Sequence, residues 1–378
     1  MRRRILTVLG TRPEAIKLAP VVLELQRRSG VESVLCVTGQ HREMLAQALD
    51  SFGLTPAHNL DIMMQSQTLS AITAAAVQGL ERAIADVEPH VVLVQGDTTT
   101  TLCGALAAFY RRTPVAQVEA GLRSGRKYSP FPEELNRKLT TQLTDVHFAP
   151  TTHARDALIA EGVEPARVHV TGNTVIDALL MTRDRVRRTP PPIPDRLRAL
   201  PESGRMVLIT GHRRESFGEG FRSLCAGIRD TAARFPDVTF VYPVHLNPNV
   251  RGPVDDILGS CDNVWLLEPL AYQPFVWLMD KATVVLTDSG GIQEEAPSLG
   301  KPVLVMRETT ERPEGIAAGN AKLVGTRREV IAAELARLLT DDAARRAMSR
   351  AQNPYGDGKA SARIADVLER VDLAGMRG

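Results

Sequence analysis

Three carboxylates of this chain stand where proton transfer could take place. Asp97 and Glu119 each follow a short apolar run, and Glu133 lies in the proline-containing loop that comes next. Carboxylates that share one site have their pKa values pushed apart, so that one can serve as a base and another as an acid. We therefore treat these three residues as candidate catalytic groups.

Some of these acids also have a purely structural interpretation. Asp97 could cap the helix that starts near Thr99, because aspartate accepts hydrogen bonds from the first N–H groups of a helix. Glu134 could simply pair with Arg137 or Lys138 one turn along the same helix. The sequence leaves both interpretations open.

Basic side chains occupy similar positions and suggest a diphosphate ligand. An arginine fork binds phosphate oxygens through two hydrogen bonds, and a histidine beside a phosphate can protonate it or donate a hydrogen bond. A solvated helix start is the alternative for Arg213 and Arg214. Of the three histidines that follow predicted strands, His41, His212 and His245, the second is the best candidate because it stands between a glycine and two arginines. The cations concerned are Arg12, Lys17, His212, Arg213, Arg214 and Arg312.

The stretch from Thr287 to Glu295 is the strongest candidate for an anion site. It follows an apolar run and turns through Ser289, Gly290 and Gly291 into a segment of helical composition. The first N–H groups of a helix lack partners within the helix, and the aligned peptide dipoles favour negative charge there. Glycines let a phosphate approach the backbone closely.

Two glutamates further along this stretch, Glu294 and Glu295, do not suit phosphate. A carboxylate can accept protons from two hydroxyl groups, so these residues predict a sugar next to the phosphate. The alternative is an ordinary strand–turn–helix connection with a solvated acidic face.

The elements that hold these residues alternate between strands and helices. Near-continuous Val, Ile, Leu and Ala runs are typical of parallel strands covered on both faces, and the segments 14–28, 69–86 and 102–110 have helical spacing. This predicts an α/β protein with two Rossmann-like, doubly wound parallel sheets facing a cleft at the carboxyl ends of their strands. The predicted strands are 4–10, 33–39, 90–97, 114–121, 146–150 and 168–173, then 206–212, 239–245, 264–268, 283–288, 302–306 and 323–325.

The stretch 183–201 interrupts the alternation, since it contains five prolines at 190–192, 194 and 201 and little apolar periodicity. We take it as the link between the two Rossmann-like halves, because proline stiffens a chain and breaks helices. The domains are placed at 1–172 and 173–360, and the remaining segment, 361–378, begins with a predicted helix.

Composition excludes several classes of protein. The net charge of +2 favours neither a nucleic-acid surface nor an acidic tail, and no apolar run approaches the length of a membrane span. The basic start is followed by too short an apolar run for a signal peptide, so we expect a first strand and a cytoplasmic protein. The four cysteines form no CxxC pair and are predicted to be small core residues.

Two common nucleotide motifs are missing from the sequence. It has neither a GxxxxGK[ST] loop nor a GxGxxG fingerprint, which disfavours a P-loop ATPase and an ordinary NAD dehydrogenase. Because the chain's own cations can hold a diphosphate, Mg²⁺ is not required. We expect no metal and no cofactor.

Taken together, the motifs resemble the non-hydrolysing bacterial UDP-N-acetylglucosamine 2-epimerases nearly end to end. The segments 302–313 and 353–358 fit this family as well. The motifs that carry the resemblance are GTRPEAIK at 10–17, QHREM at 40–44, GDTTTT at 96–101, VEAGLR at 118–123, GNTVID at 172–177, GHRRES at 211–216 and DSGGIQEE at 288–295.

The resemblance implies a glycosyltransferase-B-type fold, a C-terminal helix that packs back on the first domain, and a homodimer. It implies the reversible conversion of UDP-GlcNAc into UDP-ManNAc, which supplies sugars for cell-surface polysaccharide. In this family UDP is eliminated across C1–C2 to give bound 2-acetamidoglucal. UDP then adds back while C2 is reprotonated on the other face.

The resemblance also assigns roles to individual residues. The acid/base carboxylates are Asp97, Glu119 and Glu133, in an order that the sequence does not give, and His212 assists the departing phosphate. The UDP-binding residues are Arg12, Lys17, Phe275 on the uracil, Ser289, Gly290, Gly291, Glu295 on the ribose, and Arg312.

A second nucleotide-sugar site, at which UDP-GlcNAc activates bacterial members, is implied less strongly. The loop 63–67 lacks an arginine found in some relatives, and Gln95 and Gln117 stand where other members often have histidine. The residues that match this allosteric site are Gln40, Glu43, Arg213 and His245.

Three other functions stay open at this point. A glycosyltransferase of the same fold would need an acceptor groove and one catalytic base. A hydrolysing epimerase would share the elimination step but release UDP and free ManNAc. A nucleotide-sugar-binding regulator would have no turnover, although the full set of carboxylates argues against it.

Overall fold

Two parallel β-sheets organise the structure, a computed structural model that describes residues 2–39, 42–63, 67–200, 204–372 and 375. The chain forms two compact units, Met1–Ala178 with Gly356–Gly378, and Leu179–Tyr355. We call them unit 1 and unit 2. Each has a wholly parallel sheet with intervening helices, so the prediction of two α/β domains is confirmed.

Unit 1 contains seven strands: β1 (Arg3–Leu9), β2 (Val31–Val37), β3 (His58–Asn59), β4 (Val91–Gln95), β5 (Val115–Val118), β6 (Val146–Ala149) and β7 (Val168–Val170). Their order in the sheet is β3-β2-β1-β4-β5-β6-β7. Only β3 was not predicted, because two residues are too few to show an apolar pattern.

Unit 2 contains six strands: β8 (Met206–Thr210), β9 (Thr239–Pro243), β10 (Val264–Leu267), β11 (Val284–Thr287), β12 (Val303–Val305) and β13 (Ala321–Leu323). Their order is β10-β9-β8-β11-β12-β13. Strand β13 lies slightly earlier than the predicted 323–325, because Gly325 has a φ of 61° and belongs to the turn that follows.

The helices follow in chain order. They are α1 (Arg12–Arg27), α2 (Arg42–Phe52), α3 (Leu69–Val87), α4 (Thr99–Tyr110), α5 (Glu133–Leu143), α6 (Thr152–Ala160), α7 (Thr174–Arg188), α8 (Asp195–Arg198), α9 (Glu219–Arg234), α10 (Pro248–Leu258), α11 (Tyr272–Lys281), α12 (Gly290–Ser298), α13 (Pro313–Ala318), α14 (Arg328–Thr340), α15 (Asp342–Arg350) and α16 (Ala360–Arg370). In the part of the chain that the structure describes, every helix is too short or too polar to cross a bilayer.

Both sheets have a topological switch point, where consecutive connections leave in opposite directions. In unit 1 it lies between the neighbouring strands β1 and β4, and in unit 2 between β8 and β11. Ligands of open α/β sheets bind beyond the carboxyl ends of the strands at such points. Asp97 follows β4, His212 follows β8, and Ser289 follows β11. These candidate residues, predicted from the sequence, therefore lie after strands that border a switch point.

Helices bury both faces of the unit 2 sheet, as the continuous apolar strands predict. Val207 and Ile209 of β8 pack in one cluster with residues of α9 and α14. Met206 and Leu208 of the same strand pack in a second cluster with residues of α11 and α12. Side chains alternate between the faces of a strand, so this one short run contributes to two cores.

The C-terminal helix α16 is part of unit 1 and packs against α1. Its N-terminus is capped by Asp177 of α7, whose carboxylate accepts hydrogen bonds from the backbone N–H groups of Ala360 and Ser361. The guanidinium of Arg3 donates to the carbonyl of Leu368 near the other end. Both ends of this helix are thus held by the unit that begins the chain.

The proline-containing stretch is more helical than the sequence indicated. Helix α7 continues to Arg188, and Leu179 within it is the first residue of unit 2. The physical reason is that the prolines begin only at Pro190, beyond the end of this helix. Pro201, at the end of the predicted link, lies outside the described residues.

Three of the four free cysteines, Cys36, Cys103 and Cys225, are buried in the cores, as predicted. Burial raises the pKa of each of these thiols to about 12. They are therefore protonated and unreactive at neutral pH. Cys261 is partly exposed and packs against the unit 2 core.

Candidate functional site

Glu119 follows β5 in unit 1, and side chains of two neighbouring elements hold its carboxylate. Its side chain is nearly buried, and Nζ of Lys17 on α1 lies 2.8 Å from Oε1 and 2.5 Å from Oε2. The side-chain amide of Gln95, the last residue of β4, donates a further hydrogen bond to Oε2. Strand β4 and helix α1 thus fix the position of a carboxylate that follows β5.

The backbone of Glu119 adds to this constraint. Its φ is 61°, a conformation that non-glycine residues adopt rarely and that costs on the order of 1–3 kcal/mol. Such residues are concentrated at active sites, where the surrounding structure enforces them. Nearby, Gly121 has a φ of 92°, and a Cβ placed on it would lie 2.2 Å from the carbonyl oxygen of Ala154. Residues 119–121 are therefore pressed against α6 in a strained turn.

Asp97 is paired with Arg137 and does not cap a helix. The cap of α4 is Thr98, whose hydroxyl accepts a hydrogen bond from the backbone N–H of Thr101. The carboxylate of Asp97 instead meets the guanidinium of Arg137 on α5, with Nη2 2.6 Å from Oδ2. The capping interpretation of Asp97 is wrong, because a better cap stands one residue later.

Arg137 is a site residue that sequence reasoning did not identify as one. It lies between two carboxylates, since Nη1 is also 3.0 Å from Oε2 of Glu134. That pairing with Glu134 was foreseen as a local helix contact and is confirmed. The contact with Asp97, which is 40 residues away in sequence, had no sequence signal.

Glu134 anchors the loop that precedes α5. The carboxylate is buried and accepts hydrogen bonds from the backbone N–H groups of Ser124 and Gly125 at 3.0 and 3.1 Å. Burial by itself raises the pKa of Glu134, but the hydrogen bonds from Ser124, Arg137 and Gly125 outweigh it and lower the pKa below 4.5. The candidate catalytic residue Glu133 directly precedes it as the first residue of α5 and is half-buried.

Glu134→Gln should lower the free energy of unfolding by about 2 kcal/mol at pH 7. Both oxygens of the buried carboxylate accept hydrogen bonds, whereas the glutamine amide would place its NH₂ group against one of the donors. A carboxyl group whose pKa is lower in the folded state than in the unfolded state stabilises the fold at pH values above the unfolded-state pKa. This stabilisation is lost as pH falls through the folded-state pKa. The difference between the two proteins should therefore shrink as pH falls below 4.5. Urea unfolding from pH 7 to pH 3 measures it.

The matched control for this prediction is Glu329→Gln, which changes an exposed glutamate on α14 and should leave stability at pH 7 nearly unchanged. If the Glu134→Gln difference were the same at pH 7 and pH 3, the charge of Glu134 would have no part in holding the loop.

The turn between β1 and α1 is filled by a side chain of the protein itself. The buried carboxylate of Glu14 accepts hydrogen bonds from the backbone N–H groups of Gly10 and Thr11 at 3.1 and 2.7 Å. The hydroxyl groups of Thr98 and Thr101 donate to its other oxygen. Burial raises the pKa of Glu14, and these hydrogen bonds oppose the rise. The helix terminus in unit 1 is therefore occupied, while the predicted ligand residue Arg12 stands beside it, half-buried.

In unit 2 the corresponding connection runs from β11 to α12, and helix α12 has no acidic residue in its first turn. The N-cap residue Ser289 makes no capping hydrogen bond through its side chain, and its backbone N–H is held by the hydroxyl of Thr287. A Cβ placed on Gly290 would lie 3.1 Å from Cζ of Arg312, so the glycine lets the guanidinium approach the helix terminus. This arrangement is compatible with an anion, and the anion site of this stretch stays a prediction.

Arg312 is held over this turn by Glu294, with Nε 2.8 Å from Oε1. Both glutamates of the turn, Glu294 and Glu295, are nearly buried on α12, so a solvated acidic face is not what they form. Gly291 is exposed at the turn, and Phe275 on α11 is half-buried against the unit 2 core.

His212 lies beside the same turn, because β8 and β11 are neighbours. Its ring stacks on that of His245, with centroids 5.2 Å apart and an interplanar angle of 12°. Asp288, the residue before Ser289, accepts hydrogen bonds from the backbone N–H groups of His212 and Arg213 at 2.7 and 2.8 Å. Burial lowers the pKa of His212 below 6.5, opposed by the charge of Asp288 and reinforced by His245 and Arg213.

The four residues matched to a second nucleotide-sugar site include two in unit 2 and one described residue in unit 1. Arg213 and His245 lie beside His212 in unit 2. Glu43 is exposed on α2 of unit 1. Gln40 lies outside the described residues, as does most of the loop 63–67. Among the residues that the structure describes, no group of three or more His, Cys, Asp or Glu side chains could hold a metal ion.

Comparison with known proteins identifies the family. The sequence model described as "UDP-N-acetylglucosamine 2-epimerase" matches residues 23–369. The chain belongs to the UDP-N-acetylglucosamine 2-epimerase family. It is 54% identical over 374 residues to the UDP-N-acetylglucosamine 2-epimerase of Escherichia coli K12, which covers 97% of this chain and 98% of the relative.

Solved structures of the UDP-N-acetylglucosamine 2-epimerase family share the fold. The enzyme of Neisseria meningitidis, bound to UDP-GlcNAc, is 48% identical with a TM-score of 0.87 and covers 97% of this chain and 99% of that one. The enzyme of Methanocaldococcus jannaschii, in complex with UDP-GlcNAc and UDP, is 32% identical with a TM-score of 0.77 and the same two coverages, 97% and 99%.

Proposed function

We propose that this protein reversibly epimerises UDP-GlcNAc to UDP-ManNAc at C2 of the sugar. The observation that carries the proposal is the strained, doubly held carboxylate of Glu119 after β5, with the carboxylate of Asp97 after the neighbouring strand β4. Unit 2 supplies a glycine turn with Arg312 over it, which suits a diphosphate. Relatives that bear the name of this activity match nearly the whole chain and support it.

In the proposed reaction, a carboxylate removes the C2 proton while the C1–O bond breaks toward UDP. The electron pair of the C2–H bond becomes the C1–C2 double bond of 2-acetamidoglucal, and the leaving diphosphate takes the electrons of the C1–O bond. Protonation of C2 from the opposite face and return of UDP then give the epimer. Asp97, Glu119 and Glu133 supply the base and the acid.

The remaining predicted roles are proposed on the same basis. We assign Ser289, Gly290, Gly291 and Arg312 to the diphosphate, with His212 as the group that assists its departure. A donor fixed in advance stabilises charge that develops on a leaving group. The other assignments are Glu295 to the ribose, Phe275 to the uracil, and Arg12 and Lys17 to the nucleotide phosphates.

We also propose an activating second nucleotide-sugar site that includes the four matched residues Gln40, Glu43, Arg213 and His245. A homodimer and a cytoplasmic location are proposed as well. The domain limits 1–172 and 173–360 are kept as a proposal, with the carboxylates in the first and UDP binding in the second. The proposed product supplies cell-surface polysaccharide.

Incubation with UDP-GlcNAc in D₂O, followed by NMR of the sugar protons, tests the function. We expect UDP-ManNAc with deuterium at C2, because the abstracted proton is replaced from solvent. Free ManNAc with UDP would indicate a hydrolysing epimerase instead. An unchanged spectrum at high enzyme concentration would contradict the proposal and point to a binding protein or to a transferase that lacks its acceptor.

A further inference from the structure

Asp288 is a fully buried carboxylate, and only one of its two oxygens accepts a hydrogen bond from the described residues. Oδ2 accepts the two hydrogen bonds from the backbone of residues 212 and 213. Oδ1 is buried and has no hydrogen-bond partner among the described residues. A buried acceptor without a partner costs about 1–3 kcal/mol, and more when it is charged. Such an atom in a folded protein calls for an explanation.

The imidazole of His212 is the group that can supply the missing donor. Its Nδ1 lies 3.6 Å from Oδ1 of Asp288, which is too far for a hydrogen bond. Closing that gap needs a shift of well under the width of an atom. The imidazole is 43% exposed, so it has room to make the shift.

His245 restricts the direction of that movement. Its ring lies almost parallel to the imidazole of His212, and its own Nδ1 accepts a hydrogen bond from the backbone N–H of Asn247 at 3.1 Å. A ring packed on one face favours small displacements that keep the two rings nearly parallel. Such a displacement changes the distance between Nδ1 and the unpartnered oxygen.

We propose that Asp288 is a positioning residue for His212, and that its Oδ1 accepts the Nδ1–H of the imidazolium when a diphosphate binds at Nε2. This inference rests on the proposed function, because the anion at Nε2 is the diphosphate of the nucleotide sugar. The carboxylate stabilises the positive imidazolium, and Nε2–H donates to the phosphate oxygen that gains charge as the C1–O bond breaks. Histidine–carboxylate pairs orient general acids in this way in other enzymes.

The electrostatic surroundings are consistent with a group that needs a partner to stay charged. Asp288 favours the imidazolium, whereas burial, His245 and Arg213 all oppose it. Tyr242 faces Asp288 from β9, and its hydroxyl donates to the carbonyl of Gly211 at 2.7 Å. The net effect lowers the pKa of His212 even with the carboxylate present, and removal of Asp288 should lower it further.

The test substitution is Asp288→Asn, which can keep the loop intact because the amide oxygen still accepts both backbone N–H groups. Its NH₂ group would face Nδ1 and make that nitrogen an acceptor. We expect kcat to fall on the order of 10²-fold, at the lower end of the range for acid–base groups. Activity should be lost as the imidazolium deprotonates, so the alkaline limb of the pH–activity profile should move to lower pH in the variant.

A double-mutant cycle separates positioning from a merely structural role. If Asp288 acts through His212, adding Asp288→Asn to His212→Asn should reduce kcat by less than about threefold. An equal loss of activity in both backgrounds would overturn the proposal. Thermal unfolding of each variant shows whether the fold is kept.

A spectroscopic measurement detects the interaction of His212 with Asp288 in the absence of turnover. It therefore tests the inference even if the proposed reaction does not occur or the Asp288→Asn variant does not fold. In ¹⁵N NMR of the wild-type protein saturated with UDP, both ring nitrogens of His212 should be protonated, and Nδ1 should be unprotonated in Asp288→Asn. Comparison with His212→Asn assigns the signals of His212, and His245→Gln assigns those of the stacked ring. An unprotonated Nδ1 in the wild-type complex would overturn the inference.

Discussion

Asp97→Asn should lower the rate of epimerisation by on the order of 10²–10⁴-fold while UDP still binds. Asparagine has the same shape but cannot take up a proton from carbon. The contact with Arg137 can survive in part, because the amide oxygen accepts a hydrogen bond from the guanidinium. The loss should therefore appear in kcat rather than in folding. Rates are measured by NMR with UDP-GlcNAc, and UDP affinity by calorimetry.

The matched control is Asp86→Asn, an exposed aspartate on α3 of the same unit, which should leave the rate unchanged. Arg137→Lys gives a graded result, since lysine keeps the charge but loses the fork that contacts Asp97 and Glu134 together. Normal turnover by Asp97→Asn would show that Asp97 is not one of the acid/base groups.

Gly121→Ala should lower the free energy of unfolding by about 4 kcal/mol or more, a cost typical of severe steric conflict. The new methyl group would overlap a backbone carbonyl, which lies 2.2 Å from the Cβ position and cannot rotate away. The φ of 92° adds further strain for any residue with a side chain. Denaturant unfolding measures the effect.

Gly125→Ala is the control, because its φ of 73° is also positive but no atom lies within 4 Å of the Cβ position. It should cost only the conformational penalty, about 1–2 kcal/mol. If both variants were equally stable, packing of residues 119–121 against α6 would not be what holds this turn.

The strands were predictable because burial on both faces leaves a nearly unbroken apolar run, as in β4 and β11. The placement of Asp97, His212 and Ser289 followed from a general property of parallel sheets, whose ligand residues come after the strands. Gly290 and Gly291 were recognisable because few other residues let an anion approach a helix terminus.

Other features had no local signal. The pairing of Arg137 with Asp97 depends on how α5 packs against α4 and β5, and that packing is a tertiary property. Whether Thr98 or Asp97 caps α4 turns on a shift of one residue, which helix propensity does not resolve. The unpartnered oxygen of Asp288 can be seen only once the distance to His212 is known.

The two units share one architecture but differ at the N-termini of α1 and α12, and Glu14 is the reason. Its carboxylate is tethered to the helix whose terminus it fills, so an outside phosphate would compete with a group present at very high effective concentration. The two backbone N–H groups of that turn are thereby unavailable to an outside phosphate. Helix α12 has no acidic residue in its first turn, so no carboxylate of that turn competes in the same way.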